Sequence, residues 1–280
     1  MTNELDNRLA VHDVELAWGE WGRGDTFVLC HGFSGSAHDF DLQLTRLAEG
    51  GRVVTLDQRG HGRSTKCADV GAYSIERLAE DLAGFLTAVG GGPVDLLGHS
   101  MGGRVVLEVA LQRPELVRSL ILMDTSAWSF EVTDDAVREM LAGFFSAYDP
   151  AEGLPDFSVM AGPEDPLIDA ATTPEWRERK ESLLAEFDPY ALAALGHALF
   201  TNSVLPRRDR LAEITCPVTV IAGEHDHPFV DQAPELAAEV ADGELVVVAG
   251  AYHSPQLTHP EQWAVAVEDH LGRARRDGSR

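Results

Sequence analysis

Basic residues are scarce in this chain. It carries 22 lysines and arginines against 46 aspartates and glutamates, a formal net charge of −24 over 280 residues. Such a surface repels phosphate backbones and speaks against a nucleic-acid partner; neutral or apolar small molecules suit it better. Cysteine is scarcer still. Cys30, Cys67 and Cys216 are odd in number and match no zinc spacing, so reduced thiols in a cytoplasm are the simplest expectation. No apolar run approaches the length of a membrane span. The opening Met1-Thr-Asn-Glu-Leu-Asp is polar and acidic, which argues against a secretion signal. The hydrophobic content, 44%, suits one large domain or one domain carrying an insertion. Oligomeric state is not legible.

Short apolar runs recur along the chain. Thr26–Cys30, Arg52–Leu56, Val94–Leu97, Leu120–Met123, Val218–Ala222 and Leu245–Ala249 read as strands buried on both faces. Leu9–Trp21 alternates weakly around His12-Asp13, a hairpin signal. Between the runs lie segments of helical spacing: Ser74–Val89, with Ser74 as a cap, then Arg104–Gln112, Gln232–Val240 and Glu261–Leu271. The alternation predicts a mostly parallel α/β sheet covered on both faces. Arg273-Ala-Arg-Arg276 reads as a solvated tail, and His259 and His270 as solvated histidines. Residues 127–210 break the rhythm. They show no convincing strand and several prolines, and predict a helical cap (lid) inserted into a core formed by 1–126 and 211–280.

Gly98-His99-Ser100-Met101-Gly102 lies at a predicted strand-to-helix junction. A serine between glycines there is a nucleophile elbow: the tight turn excludes bulky side chains and lifts the hydroxyl above the sheet. A serine hydroxyl needs a base, a carboxylate to orient the base, and donors for the oxyanion. The elbow order is Ser, then Asp or Glu, then His. His253, past the last strand, is the expected base. Asp226, in the Gly223-Glu-His-Asp turn, is the favoured acid; Asp124, past the preceding strand, is the alternative, and Glu224 a weaker third. The backbone N–H groups of Phe33 and Met101 are the expected oxyanion donors, with their side chains lining the pocket. His225-x-His227 has metal-ligand spacing but lacks a third ligand, so no metal and no cofactor are expected.

His31-Gly-Phe33, Asp57-Gln-Arg-Gly-His-Gly-Arg-Ser64, Gly98-His-Ser-Met-Gly102, Gly223-Glu-His-Asp226 and His253 together resemble the α/β-hydrolase superfamily, over nearly the whole chain apart from the cap. The resemblance implies an α/β-hydrolase fold, with an eight-stranded, mostly parallel sheet and a helical cap after the sixth strand. It supports Asp226 as the acid, while some lactonases of the superfamily use an acid at the Asp124 position. The Asp57–Ser64 segment reads as a structural loop fixed by Asp57, Arg59 and Arg63.

The expected reaction is hydrolysis of a carboxylic ester or lactone, on a small to medium, largely apolar substrate, through an acyl-enzyme. Carbon–carbon bond hydrolysis, cofactor-free perhydrolase or haloperoxidase chemistry, and a ligand receptor on the same fold are the competing readings. Within the cap, Trp128 and His197 are the expected substrate contacts. Phe130, Phe157 and Met160 contribute to its apolar surface.

Overall fold

The apolar runs of the central strands divide their side chains between two cores. The computed structural model describes residues 5–128, 135–155, 166–201 and 206–277; Phe130, Phe157 and Met160 lie outside them. Among these residues the strands are β1 (Asn7–Val11), β2 (Val14–Trp21), β3 (Thr26–Cys30), β4 (Arg52–Leu56), β5 (Val94–His99), β6 (Val117–Met123), β7 (Val218–Gly223) and β8 (Gly243–Val248). They form one sheet in the order β1-β2-β4-β3-β5-β6-β7-β8. β1 and β2 pair antiparallel, as do β2 and β4; the remaining pairs are parallel.

Alternation explains why both faces of a strand must be apolar. Val28, Val54, Leu96, Leu120 and Val220 point into one core. Phe27, Val53, Leu97, Ile121 and Ile221 point into the other. The first core is covered by helices α1 (Ile75–Val89), α2 (Met101–Gln112) and, further along the chain, a helix over Phe229–Glu239. The second is covered by Phe40, Leu44 and the C-terminal helix through Trp263, Val267 and Leu271. α1 starts where its cap predicts: the Ser74 side chain accepts from the Arg77 N–H at 3.1 Å. Burying a side chain such as Phe85 contributes roughly 2–3 kcal/mol.

Between β6 and β7 the described residues form helices and no strand. The longest are α3 (Asp135–Ala147) and α4 (Pro174–Ala185), followed by a helical run from Pro189 to Phe200 with a π-turn at Leu192–Gly196. The chain leaves and rejoins the sheet at one place: Arg207 N–H donates to the Ala127 carbonyl at 2.8 Å.

Three expectations need correction. The helix after β7, α5 (Phe229–Glu239), starts three residues before Gln232. The last helix, α6 (Pro260–Asp277), runs through the segment read as a solvated tail. Arg273 donates to the Val218 carbonyl and to Asp242, each at 2.8 Å, and Arg275 donates to the Gly50 carbonyl at 2.7 Å. Ala274 continues the apolar stripe and is buried, so these arginines extend the helix and brace the sheet. His270 is also buried, its Nδ1 2.8 Å from the Thr219 hydroxyl. No helix among the described residues is long and apolar enough to cross a membrane.

Candidate active site

Ser100 stands between β5 and α2 with φ 53° and ψ −119°, a left-handed conformation that costs a non-glycine residue of order 1–3 kcal/mol. The surroundings hold it there. Ser100 N–H donates to the Met123 carbonyl at 2.9 Å, and its own carbonyl accepts from the Thr125 hydroxyl at 2.7 Å. The flanking glycines are steric requirements. A Cβ on Gly98 would lie 2.4 Å from the Gly102 carbonyl oxygen, and one on Gly102 would lie 2.4 Å from that of Cys30.

His253 sits past the end of β8. Its Nδ1–H donates to Asp226 Oδ2 at 2.8 Å. Asp226 is buried beyond the end of β7; His253 is partly exposed and lines the same cavity as Ser100. Asp124, the alternative acid, is fully buried after β6, where the Asp226 carboxyl acts on it; the carboxylate partner of His253 is Asp226. Its Oδ1 accepts from the Gly223 N–H at 2.8 Å. Glu224 is committed elsewhere, accepting from the Gly250 N–H at 2.8 Å.

The expected oxyanion donors take different surroundings. Phe33 lies on the turn after β3, closed by Gly35 N–H donating to the Gly32 carbonyl at 3.1 Å. Its ring lines the cavity and meets Phe187 and Phe200 edge-on, at 5.6 and 5.7 Å. Met101 opens α2, so its N–H has no partner within the helix. Its side chain is buried in the core beneath and is not part of the cavity wall, contrary to expectation.

The cavity measures about 540 Å³. Its sheet side includes Gly32, Phe33, Asp39, His99, Ser100 and His253. Its other side comes from the β6–β7 insertion through Ile168, Asp169, Trp176, Arg177, Lys180 and Glu181. Neither Trp128 nor His197 lines it. Trp128 lies beneath the Arg208 guanidinium, 5.4 Å from the ring centre, and His197 is exposed beside Thr201. The apolar pattern of the insertion gave no means of separating the face toward the sheet from the face toward water.

Two features of the site escaped the sequence reading. The first is His99. Its Nε2–H donates to the His253 carbonyl at 2.7 Å, and the two rings lie 4.8 Å apart. Burial, with the neighbouring His253 charge adding to it, pushes the His99 imidazole down to about 3, so it is neutral at physiological pH. Its buried Nδ1 has no hydrogen-bond partner among the described residues. The second is the pairing of Asp39 with Lys180. Burial pushes the Asp39 carboxyl up, but the Lys180 ammonium outweighs this and holds it below its usual range. Beside it, His38 stacks on Trp176 at 4.8 Å and its Nε2–H donates to the Trp176 carbonyl at 3.0 Å. The elbow motif hinted at His99, because position two of the pentapeptide faces the cavity. Nothing in the local pattern linked residue 39 to residue 180.

The Asp57–Ser64 segment is a braced loop. Asp57 accepts from the backbone N–H groups of Ala37 and Arg63, both at 2.8 Å. Arg59 is fully buried and forks onto Asp81 and Asp13. His227 pairs with Asp231 at 2.7 Å, and His225 lies against Tyr252. Among the described residues no group of three or more potential ligands is placed to hold a metal ion.

A mostly parallel sheet of this order, with a strained serine at a strand-to-helix turn and a His–Asp pair beyond later strands, defines a hydrolase architecture. The chain belongs to the alpha/beta hydrolase fold family, whose model matches residues 25–260, and by family it is a hydrolase. It is similar to the pimeloyl-[acyl-carrier protein] methyl ester esterase of Aeromonas hydrophila, 30% identical over 261 residues, covering 90% of this chain and 97% of that protein. A solved thermophilic esterase from Thermogutta terrifontis has a TM-score of 0.78 and 25% identity, covering 96% of this chain and 99% of the other. The bifunctional epoxide hydrolase 2 of Sus scrofa is 36% identical over 113 residues, which is 40% of this chain and 20% of that protein.

Proposed function

We propose that the chain is a serine hydrolase that cleaves a carboxylic ester or lactone through an acyl-enzyme. The observation that carries this is the shared cavity: Ser100 stands strained at its floor, and His253, bonded to Asp226, forms its wall. In this reading His253 Nε2 takes the Ser100 proton as the oxygen attacks the carbonyl carbon. Asp226 holds the Nδ1–H tautomer and stabilises the imidazolium. The N–H groups of Phe33 and Met101 receive the oxyanion. His253 returns the proton to the leaving alcohol, and water then repeats the sequence to release the acid. No cofactor enters any step.

The insertion, residues 127–210 in this proposal, is a cap over a core formed by 1–126 and 211–280. The Arg207–Ala127 bond supports those limits, and Trp176 and Lys180 support a role in selecting the substrate. Phe33, Ile168, Trp176 and Leu257 suit a largely apolar small molecule. Asp39 and Lys180 suit one polar group on it.

The test is Ser100→Ala against a panel of aryl esters of graded chain length and lactones of graded ring size. Turnover by the wild type and a loss of at least ~10³-fold in the variant are expected. Undiminished turnover by Ser100→Ala overturns the mechanism. A fluorophosphonate should label the wild type and spare the variant.

A further inference from the structure

Two carboxyl groups, those of Asp124 and Asp226, lie close together beyond the ends of β6 and β7, and among the described residues no lysine or arginine pairs with either. Asp124 follows β6 with φ 46°, a conformation unfavourable for a side chain larger than glycine. It is wholly buried. Its N–H donates to the Ile221 carbonyl at 2.9 Å, which fixes the backbone, and its Oδ1 accepts from the Gly223 N–H at 2.8 Å. The Gly223 bond ties Asp124 to the strand whose end carries Asp226. Oδ2 is buried and meets no N–H or hydroxyl donor among the described residues. The side chain that acts on Asp124 is the Asp226 carboxyl, within hydrogen-bonding reach of it. Two ionised carboxylates have only acceptors to offer one another, so a hydrogen bond between them requires a proton on one.

We infer that Asp124 is a neutral carboxylic acid that donates its proton in a hydrogen bond to Asp226, and so positions the carboxylate that orients His253. This rests on the reading of Ser100, His253 and Asp226 as a triad. The assignment of the proton follows from what surrounds each group. Asp226 accepts from His253 Nδ1–H and so is the member best stabilised as an anion. Among the described residues the one donor to Asp124 is the Gly223 N–H. Burial and the neighbouring Asp226 charge push its carboxyl well above the usual range. Among the described residues the groups that act on Asp124 are the Asp226 carboxylate and the Gly223 N–H, with no basic side chain beside them. Asp124 touches no reacting atom in this arrangement and is a positioning residue. Its proton stays in place through the reaction, while the Asp226 charge remains available to the imidazolium.

The test compares Asp124→Asn, Asp124→Ala and the wild type. An asparagine amide at this site donates to Asp226 and accepts from Gly223 as the acid does. Asp124→Asn should therefore retain most of the activity that Asp124→Ala loses, and Asp124→Ala should lose about ten- to a hundred-fold in kcat, with KM little changed. The pH profile supplies a readout that a structural role would not move. A neutral Asp124 contributes no charge, so Asp124→Asn should leave the acid limb of kcat/KM in place. Asp124→Ala should move that limb to higher pH, because Asp226, stripped of one donor, holds the His253 proton more strongly. An acid limb that moves to lower pH in Asp124→Asn means that a negative charge was removed, and overturns the inference. Infrared spectroscopy of Ser100→Ala protein at neutral pH reads the proton without turnover. A carboxylic acid C=O band that disappears on adding Asp124→Asn supports the inference, and its absence from the parent overturns it. This measurement stands apart from the triad reading, which fails if Ser100→Ala keeps full activity.

Discussion

Residue chemistry alone does not distinguish Asp226 from Asp124; surroundings do. Both were legible as carboxylates past strand ends, and the chain order allowed either to serve His253. Only the sheet geometry, with β7 beyond β6, bonds one to the imidazole and the other to the Gly223 N–H. Asp226→Asn should lower kcat by ~10⁴-fold with folding intact, because an amide facing Nδ1 favours the wrong tautomer; single-turnover kinetics with an aryl ester checks this. His99 poses a second question at this scale. His99→Phe removes the donor to the His253 carbonyl and should lower kcat by about ten-fold at constant thermal stability. A change in KM alone would assign His99 to substrate contact. The serine itself was the most legible residue, because its glycine neighbours are dictated by contacts with the Gly102 and Cys30 carbonyls that no other side chain permits.

Strands and helices were readable in proportion to how local their cause is. β3 to β7 declare themselves as continuous apolar runs because both faces of the sheet are covered, and α1 declares itself through Ser74 and its buried stripe. α4 does not. Its contacts with the sheet side include Trp176 against His38 and Lys180 against Asp39, pairs about 140 residues apart that no periodicity connects. That attachment carries a pH signature. The folded-state pKa of Asp39 is depressed, so the stability it contributes is present above its unfolded value and is lost as pH falls through the folded one. Lys180→Met should destabilise the protein by about 1–3 kcal/mol at pH 7, read from urea midpoints. The gap to the wild type should close as the pH is lowered below 3.8, the usual Asp value. A gap that persists at low pH would mean that Lys180 acts through its methylene stem.

At the scale of the molecule, a net charge of −24 acts on every part of the fold at once. Self-repulsion opposes compaction, so the melting temperature should rise when salt is raised from about 10 mM to 0.15 M, where the Debye length is roughly 8 Å. Calorimetry checks this, and a melting temperature that falls with salt would show that attractive pairs such as Arg46 with Glu261 and Glu268 dominate. The C-terminal arginines belong to the same account. Their charge suggested a tail, but a helix end favours cations and Ala274 keeps the apolar spacing, so tertiary contacts decide. The joint between Ala127 and Arg207 has a different consequence. Because one peptide hydrogen bond closes the insertion onto itself, the pairing of β6 with β7 is indifferent to how much chain lies between. The floor that carries Ser100 and the insertion above it can therefore diverge at separate rates, so this architecture can change what its cavity admits without altering the turn that holds the serine.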